Sequence, residues 1–551
     1  MSDLMAIALL AAIWFCGFLG MRPLANPDEG RYTETPREMA VTGDFVTPRL
    51  NGVKYFEKPP LVYWLSAVTF RTFGVNEFTA RLWNGLFSVL GVLLTYAAAR
   101  ALYDRSTGIW ATIVLSTFLL YFALNQIVLL DMAVAVTVSG ALFAFIVAMR
   151  EPGGKKRFGL FMVFYAFMAL ATLSKGLIGI ALPGAVIFFW VLLLNRWRAL
   201  WPFYPITGTL LLLAIAAPWH VLAAQANPDF LNFYFYHEHW LRFTTTVHGR
   251  FEPWWFFLPI FVGGLFPWLF FAVRATRFSL PGGWKARKDH ADAWFFIIWI
   301  VFIVLFFSKS QSKLVPYILP VFPACAVLIG RWVSSLWQAG SDARFRPEAI
   351  AFAVTAGLLG IAAFVVPNPK SQPDLISVLP VFRILAGIIW LGGATAALLG
   401  YRRANPRLVI GAITVSIALF LGTIAWAAGS FDKASTRKFA TILKPILKAE
   451  DRVYLVGFHA MDLPVYLDRM VSIVEYDDEL NYGVNAEPDI SASRFLNRIA
   501  FAEQWKQPGS AYALIRKSNF DKWFGDLRLS FEVMDKSDRF VLIKRTDPPS
   551  P

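Results

Sequence analysis

Windows of about twenty apolar residues recur through the first 430 positions, and this recurrence restricts the chain to one kind of architecture. A bilayer with a hydrocarbon layer about 30 Å thick accepts about twenty residues of helix per crossing. Thirteen candidate spans follow, near 4–20, 79–102, 107–126, 131–149, 158–174, 176–194, 203–223, 254–273, 293–308, 314–333, 349–366, 380–400 and 408–428. The chain is 57% hydrophobic and 16% charged, with mean hydropathy +0.52, whereas soluble domains carry about 25% charged residues. The expected fold class is a polytopic α-helical membrane protein. Residues 61–74, LVYWLSAVTFRTFG, follow two prolines and are too short to cross, so they are expected as an interfacial or half-buried helix. Residues 4–20 lack a basic leading region and an A-x-A-like cleavage site, so they are expected as a retained span. Cys16 and Cys325 both fall inside apolar spans, which argues against a disulfide framework, and no C-x-x-C metal pattern occurs.

Lysine and arginine gather in the connections that lie inside when the N-terminus is cytoplasmic, including Lys155-Lys156-Arg157 and Arg402-Arg403. Thirteen crossings then place residues 430–551 outside, in the periplasm of a Gram-negative host. Acidic and basic residues balance from Ser430 onward, so the net charge of +15 belongs to the membrane part. Topology and anionic headgroups account for it, and no nucleic-acid partner is expected. The tail reads as a small soluble α/β domain. An amphipathic helix is expected over 435–448, strands at 452–457, 470–474, 511–515, 529–534 and 539–544, and helices at 491–506 and 517–524. It has no glycine-rich phosphate fingerprint and no clustered His or Cys, so it reads as a lid or support. The expected domains are 1–429, membrane-embedded and catalytic, and 430–551, periplasmic.

The longest polar interruption of the membrane part is 26–60, NPDEGRYTETPREMAVTGDFVTPRLNGVKYFEKPP. Most connections run about four to six residues, so this loop is expected to fold on the outer surface and carry chemistry. Other mixed polar residues fall at the same outer ends: Asp131, Lys175, His237, Glu238, His239, Arg242, Lys309 and Lys313. Topology alone does not require acids and imidazoles there, and polar groups near a bilayer are costly. One reaction or binding site at the outer interface is therefore expected. Asp28 suits a carboxylate that orients or deprotonates a nucleophile, and Glu29 reads equally as a helix-start residue. Glu57-Lys58 divides labour, the lysine neutralising a phosphate and the glutamate binding a cation. Asp131 reads equally as a cap or as a functional carboxylate, and Lys175 equally as an anchor. His237 and His239, two apart, share a side of an extended segment and with Glu57 form a set that suits zinc. Lys309, Lys313 and Tyr317 at one outer edge suit a phosphate or pyrophosphate.

D-E-G-R-Y at 28–32, R-E-M at 37–39, L-N-G at 50–52, Y-F-E-K-P-P-L at 55–61, S-K-G at 174–176 with Leu182-Pro183, and K-L-V-P-Y at 313–317 carry a resemblance. The chain resembles the polyprenyl-phosphate-dependent GT-C glycosyltransferases related to protein O-mannosyltransferases, and among them most the 4-amino-4-deoxy-L-arabinose transferase (ArnT) family. The likeness runs the length of the chain. It implies a GT-C fold and a donor sugar on undecaprenyl phosphate. It further implies transfer to a lipid A phosphate at the inner membrane's periplasmic face, a lipopolysaccharide modification tied to polymyxin resistance. The family's catalytic aspartate maps onto Asp28 and its second outer aspartate onto Asp131, with Glu29 beside the first. Carrier-phosphate contacts map onto Lys58, Arg242 and Tyr317, and Tyr55, Lys313 and Lys175 join the substrate-binding set. A divalent metal, zinc favoured, maps onto Glu57 and His237; no nucleotide cofactor is implied. Ser174-Lys175-Gly176 stands where the family more often has TKGP. Two other readings are a related transferase acting on another acceptor, such as a protein hydroxyl, and a flippase for lipid-linked sugars. Transporters concentrate polar residues near the midplane on broken helices, whereas here most lie at one surface.

Overall fold

The computed structural model describes all residues except 1, 242–251, 341–344, 367–376, 431–433, 476–478, 522, 524–528 and 547–551, and the side chains of 2 and 237–241 also lie outside the description. The chain divides into two units, Met1–Leu19 with Arg81–Ala428, and Gly20–Ala80 with Gly429–Pro551.

The first unit is helical. Among the described residues nine helices are long and apolar enough to cross a membrane, or eleven when each of two bent pairs counts as one crossing. Two shorter apolar helices, Asp3–Cys16 and Ile178–Leu194, lie below that length. This is a multi-pass membrane protein. The stretches expected as single spans at 107–126 and 254–273 are both broken. Arg105–Ser116 meets Leu119–Asn125 at 62°, and Phe257–Gly264 meets Leu269–Ser279 at 91°. Pro267 explains the second break, because proline lacks an N–H and disfavours helix in the residue before it. The two breaks satisfy each other: Leu119 N donates to the Phe266 carbonyl at 3.2 Å, and Trp268 Nε1 to Thr117 Oγ1 at 2.8 Å. Backbone groups freed inside a membrane need such internal partners. Leu130–Ala148 is the most enclosed of these helices together with Val315–Ala339, whereas Arg346–Val365 keeps most of its surface outward. Helix Phe322–Ala339 packs on Arg105–Ser116 across Gly330, whose Cβ would lie 2.4 Å from the Ala111 nitrogen. Small residues at such crossings let helix backbones approach.

The second unit joins the first polar loop to the tail. The loop forms helix α1 (Asp28–Thr42), a hairpin of β1 (Arg49–Leu50) and β2 (Val53–Lys54), and helix α2 (Leu61–Phe73), the short helix expected after Pro59-Pro60. The tail forms α3 (Arg437–Leu443), β3 (Arg452–Val456), α4 (Asp462–Leu467), β4 (Ser472–Val474), α5 (Asn481–Ala486), β5 (Phe495–Leu496), α6 (Arg498–Lys506), β6 (Ala511–Arg516), β7 (Phe531–Lys536) and β8 (Phe540–Arg545). The expected helix over 491–506 is in fact β5 followed by α6. Two residues of strand are too few for period-two alternation to register. The sheet order is β5-β4-β3-β6-β8-β7, parallel from β5 to β6 and antiparallel through β8 and β7. Alternate residues feed two cores. Val453, Leu455, Leu514 and Leu542 bury on one face with Phe439 and Leu463; Tyr454, Val456, Ile515 and Ile543 bury on the other with Phe501 and Trp505. Covered on both faces, these strands read as continuous apolar runs. Loop and tail share a third cluster of Leu50, Val53, Tyr55, Met461, Ile473 and Leu480.

Candidate active site in the first loop

Asp28 opens α1 after Pro27, and no side chain caps the helix, so the carboxylate does not serve as a cap. It is 45% exposed and stands 3.5 Å from Arg31. Glu29 is buried, and its carboxylate accepts from Arg22 Nη2 at 2.7 Å and from Ala25 N at 2.9 Å. It therefore holds the turn that leads into Asp28. Gly30 packs on α4, where a Cβ would lie 2.5 Å from the Asp462 nitrogen, so only glycine fits. Asn26 fastens the same corner: its Nδ2 donates to Asp462 Oδ1, and its Oδ1 accepts from Asp462 N at 3.1 Å. Asp462 in turn accepts from Ser435 Oγ at 2.9 Å and Thr436 N at 2.6 Å.

Arg31 is the hub of the loop. It is 4% exposed and pairs with Glu479 at 2.8 Å as well as with Asp28. Its guanidinium lies 5.7 Å from the Tyr32 ring centroid, and that ring lies 6.4 Å from Tyr63. The field of Arg31 also reaches Tyr55, Glu57 and His459. Glu57 and Lys58 are both buried; the ammonium stands 3.5 Å from the Glu57 carboxylate and donates to its carbonyl at 2.7 Å. Asp28 and Lys58, thirty residues apart in sequence, are thus linked electrostatically through Arg31 and Glu57. Burial raises the Tyr55 and Tyr63 phenols well above their ordinary range, so both stay O–H donors. Neither hydroxyl has a hydrogen-bond partner among the described residues. Burial, then the Arg31 charge, pushes the His459 imidazole down to about 3, leaving it neutral. The cluster thus offers two cations and buried hydroxyl donors for an oxyanion, beside a carboxylate open to solvent.

Three other expected residues meet in the helical unit. Asp131 pairs with Lys175, whose ammonium lies 4.6 Å from the Tyr317 ring centroid. Asp131 is no cap: Leu129 holds that position without a side-chain bond. Lys313 is buried and donates to the Glu252 carbonyl at 2.7 Å, while Lys309 is exposed.

The chain matches known proteins over nearly its whole length. The family described as dolichyl-phosphate-mannose-protein mannosyltransferase matches residues 4–234, and that described as aminoarabinose transferase C-terminal domain matches 439–545. An undecaprenyl phosphate-alpha-4-amino-4-deoxy-L-arabinose arabinosyl transferase of Pectobacterium carotovorum is 28% identical over 550 residues, 98% of this chain and 97% of the relative. The crystal structure of ArnT from Cupriavidus metallidurans bound to undecaprenyl phosphate is 30% identical, with TM-score 0.85, covering 100% of this chain and 99% of that one. The chain belongs to the ArnT family. An archaeal oligosaccharyltransferase, AglB from Archaeoglobus fulgidus, is similar in fold alone, at 13% identity and TM-score 0.51 over 98% of this chain and 74% of its own.

Two residues expected from the ArnT resemblance fall outside the description: Arg242, and the side chain of His237. The backbone of Asn232–Leu241 is helical. Of the expected zinc pair only Glu57 is described, and it already lies beside Lys58 and in the field of Arg31. Among the described residues no three His, Cys, Asp or Glu cluster as a metal site. Arg31, Tyr63, Glu479 and His459 were not among the residues expected at the site. Arg31 lies inside the D-E-G-R-Y motif, whereas Glu479 and His459, in a tail expected as a lid or support, carry no local signal.

Proposed function

We propose that this ArnT-family chain moves 4-amino-4-deoxy-L-arabinose from undecaprenyl phosphate to a lipid A phosphate at the periplasmic face of the inner membrane. The full-length likeness to an ArnT bound to undecaprenyl phosphate carries this reading. In the transfer the bond from sugar C1 to the carrier-phosphate oxygen breaks, its electron pair leaving on the carrier phosphate. An oxygen of the acceptor phosphate forms the new bond to C1. That acceptor is largely ionised near pH 7, its second pKa being about 6. Asp28 then has no proton to remove; it positions the acceptor and offsets the positive charge that develops on the sugar. Lys58, Arg242 and Tyr317 offset the charge gathering on the leaving phosphate, and Tyr55 donates from its buried hydroxyl. In the helical unit Asp131 holds Lys175 over Tyr317, and these with Lys313 serve the lipid-linked donor. Glu29 acts as a positioning residue through its turn. Mass spectrometry of lipid A from cells with and without the protein tests the reading: an added aminopentose is expected only with it.

The two shorter apolar helices and both bent pairs are assigned as crossings, which gives thirteen spans. The N-terminus is then cytoplasmic, and residues 430–551 form a periplasmic domain after a catalytic membrane domain of 1–429. Reporter fusions at Gly153 and Ser430 test this, active on opposite sides of the membrane. Zinc is assigned to Glu57 and His237, where it would add positive charge near the carrier phosphate. Elemental analysis is expected to find one zinc per chain, lost in Glu57→Gln.

A further inference from the structure

The tail carries a crevice that the transfer just described does not use. Strand β3 stands between β4 and β6, so the chain winds from β3 to β4 and β5 on one side and returns to β6 on the other. Sheets of this kind bind ligands outside the carboxyl ends of their strands, at the point where the winding reverses. A cavity of about 660 Å³ lies there, lined by Phe458 and His459 after β3 and by Arg516 and Lys517 at the end of β6. Arg539 closes it from the turn before β8, and the Lys517 N–H donates to the Arg539 carbonyl at 2.8 Å. Its floor is aromatic: Phe458 and Phe540 stack at 5.0 Å, and the Arg516 guanidinium lies 5.3 Å from the Phe458 ring centroid. Its rim is cationic. Arg516, Lys517 and Arg539 face one acid, Asp538, and none of the three forms an ion pair among the described residues. Asn26 and Pro27 line the same cavity, and the next residue is Asp28.

An apolar floor with a few convergent charges is how small-ligand sites are built, and guanidinium groups suit phosphate oxygens. The tail lacks a glycine-rich loop, so side chains do the work that backbone amides do elsewhere. We infer that this crevice binds the phosphorylated saccharide headgroup of the acceptor lipid and delivers it beside Asp28. The inference rests on the proposed function for the identity of the acceptor, and the crevice itself can be tested separately.

The variant Arg516→Ala/Lys517→Ala/Arg539→Ala, in the full chain, is expected to raise KM for lipid A about tenfold or more, as loss of charge-assisted hydrogen bonds does. Affinity for undecaprenyl phosphate should stay the same. Arg516→Lys/Arg539→Lys should recover most of the loss, which a merely misfolded tail would not allow. An unchanged KM for lipid A, or an equal loss of carrier affinity, overturns the inference. Should the wild type transfer nothing to lipid A, the proposed function fails and a second measurement decides the crevice. Glucosamine 1-phosphate, followed by 31P NMR line broadening, should bind the wild type and not the triple variant. Vesicles of phosphatidylglycerol serve as the competing source of phosphate. If they abolish the glucosamine 1-phosphate signal, or if the triple variant binds the sugar phosphate as the wild type does, the crevice is not a saccharide-phosphate site.

Discussion

Arg31 divides its guanidinium between a half-exposed partner and one that is mostly buried, and the two partners predict different defects. Asp28 is 45% exposed and adds little to packing. Asp28→Asn should therefore keep the melting temperature while lowering turnover about 10²- to 10⁴-fold, the range of a positioned acid–base or charge-stabilising group; unaltered turnover in a liposome assay would remove it from the chemistry. Glu479 is nearly buried against Arg31. Arg31→Ala removes the cation that pairs with that carboxylate at 2.8 Å and should destabilise the second unit by about 3–5 kcal/mol, read from the urea midpoint of the purified protein. Lys58→Ala should raise KM for the donor more than for lipid A, because its ammonium is assigned to the carrier phosphate. Asp28 and Lys58 were legible in sequence because charged residues stood out in an apolar chain. Glu479 was not, because nothing local distinguishes a surface glutamate from one that will meet an arginine more than four hundred residues away.

At the scale of elements, α1 stores a proton. Glu38 is fully buried in it; burial first, then the nearby Glu34 carboxylate, raises its pKa to about 8, against the lowering effects of the 2.9 Å bond from the Gly52 N–H, the Arg37 charge and the Asn51 backbone. A carboxyl whose folded pKa lies above its unfolded value of about 4.5 favours the folded state most below that value. The advantage is lost as pH rises toward and through 8. Buried His459 has its pKa lowered, so its contribution runs the other way, present above about 6.5 and lost on acidification. The useful comparison is therefore between variants: from about pH 5 to 9, Glu38→Gln should lose less thermal stability than the wild type in a fluorescence melt. Helix α1 itself was hidden from periodicity. It contains Pro36 and buries Glu34, Arg37 and Glu38, so apolar residues do not mark its inner face. The helix at 61–73 and most tail strands were legible, because there the inward residues are apolar. The turn of 232–241 into a helix was not, since neighbouring aromatics and histidines suit strand and helix alike.

At the scale of the molecule, hydropathy was sufficient to establish a multi-pass helical protein with a soluble tail. It said nothing of which polar segments would pack together, because ion pairs and backbone bonds between distant segments leave no period. The first loop and the tail share such bonds throughout: Asn26 with Asp462, Arg31 with Glu479, Arg37 with Asp468 and Arg49 with Glu487. Leu50, Val53 and Tyr55 complete one apolar cluster with tail residues. If the tail were only an accessory cover, a chain ending at Ala428 would keep reduced activity. These bonds predict otherwise. Truncation should strand Arg31 without its Glu479 partner and expose the hairpin's apolar side, so the segment 26–60 loses its shape while the helical unit still resists alkaline extraction from membranes. Lipid A should then carry no aminopentose, and limited proteolysis should cut within 26–60 in the truncated chain but not in the intact one. A truncated chain that still modified lipid A would mean that the loop holds its catalytic geometry alone, and the pairing of Arg31 with Glu479 would then have no bearing on transfer.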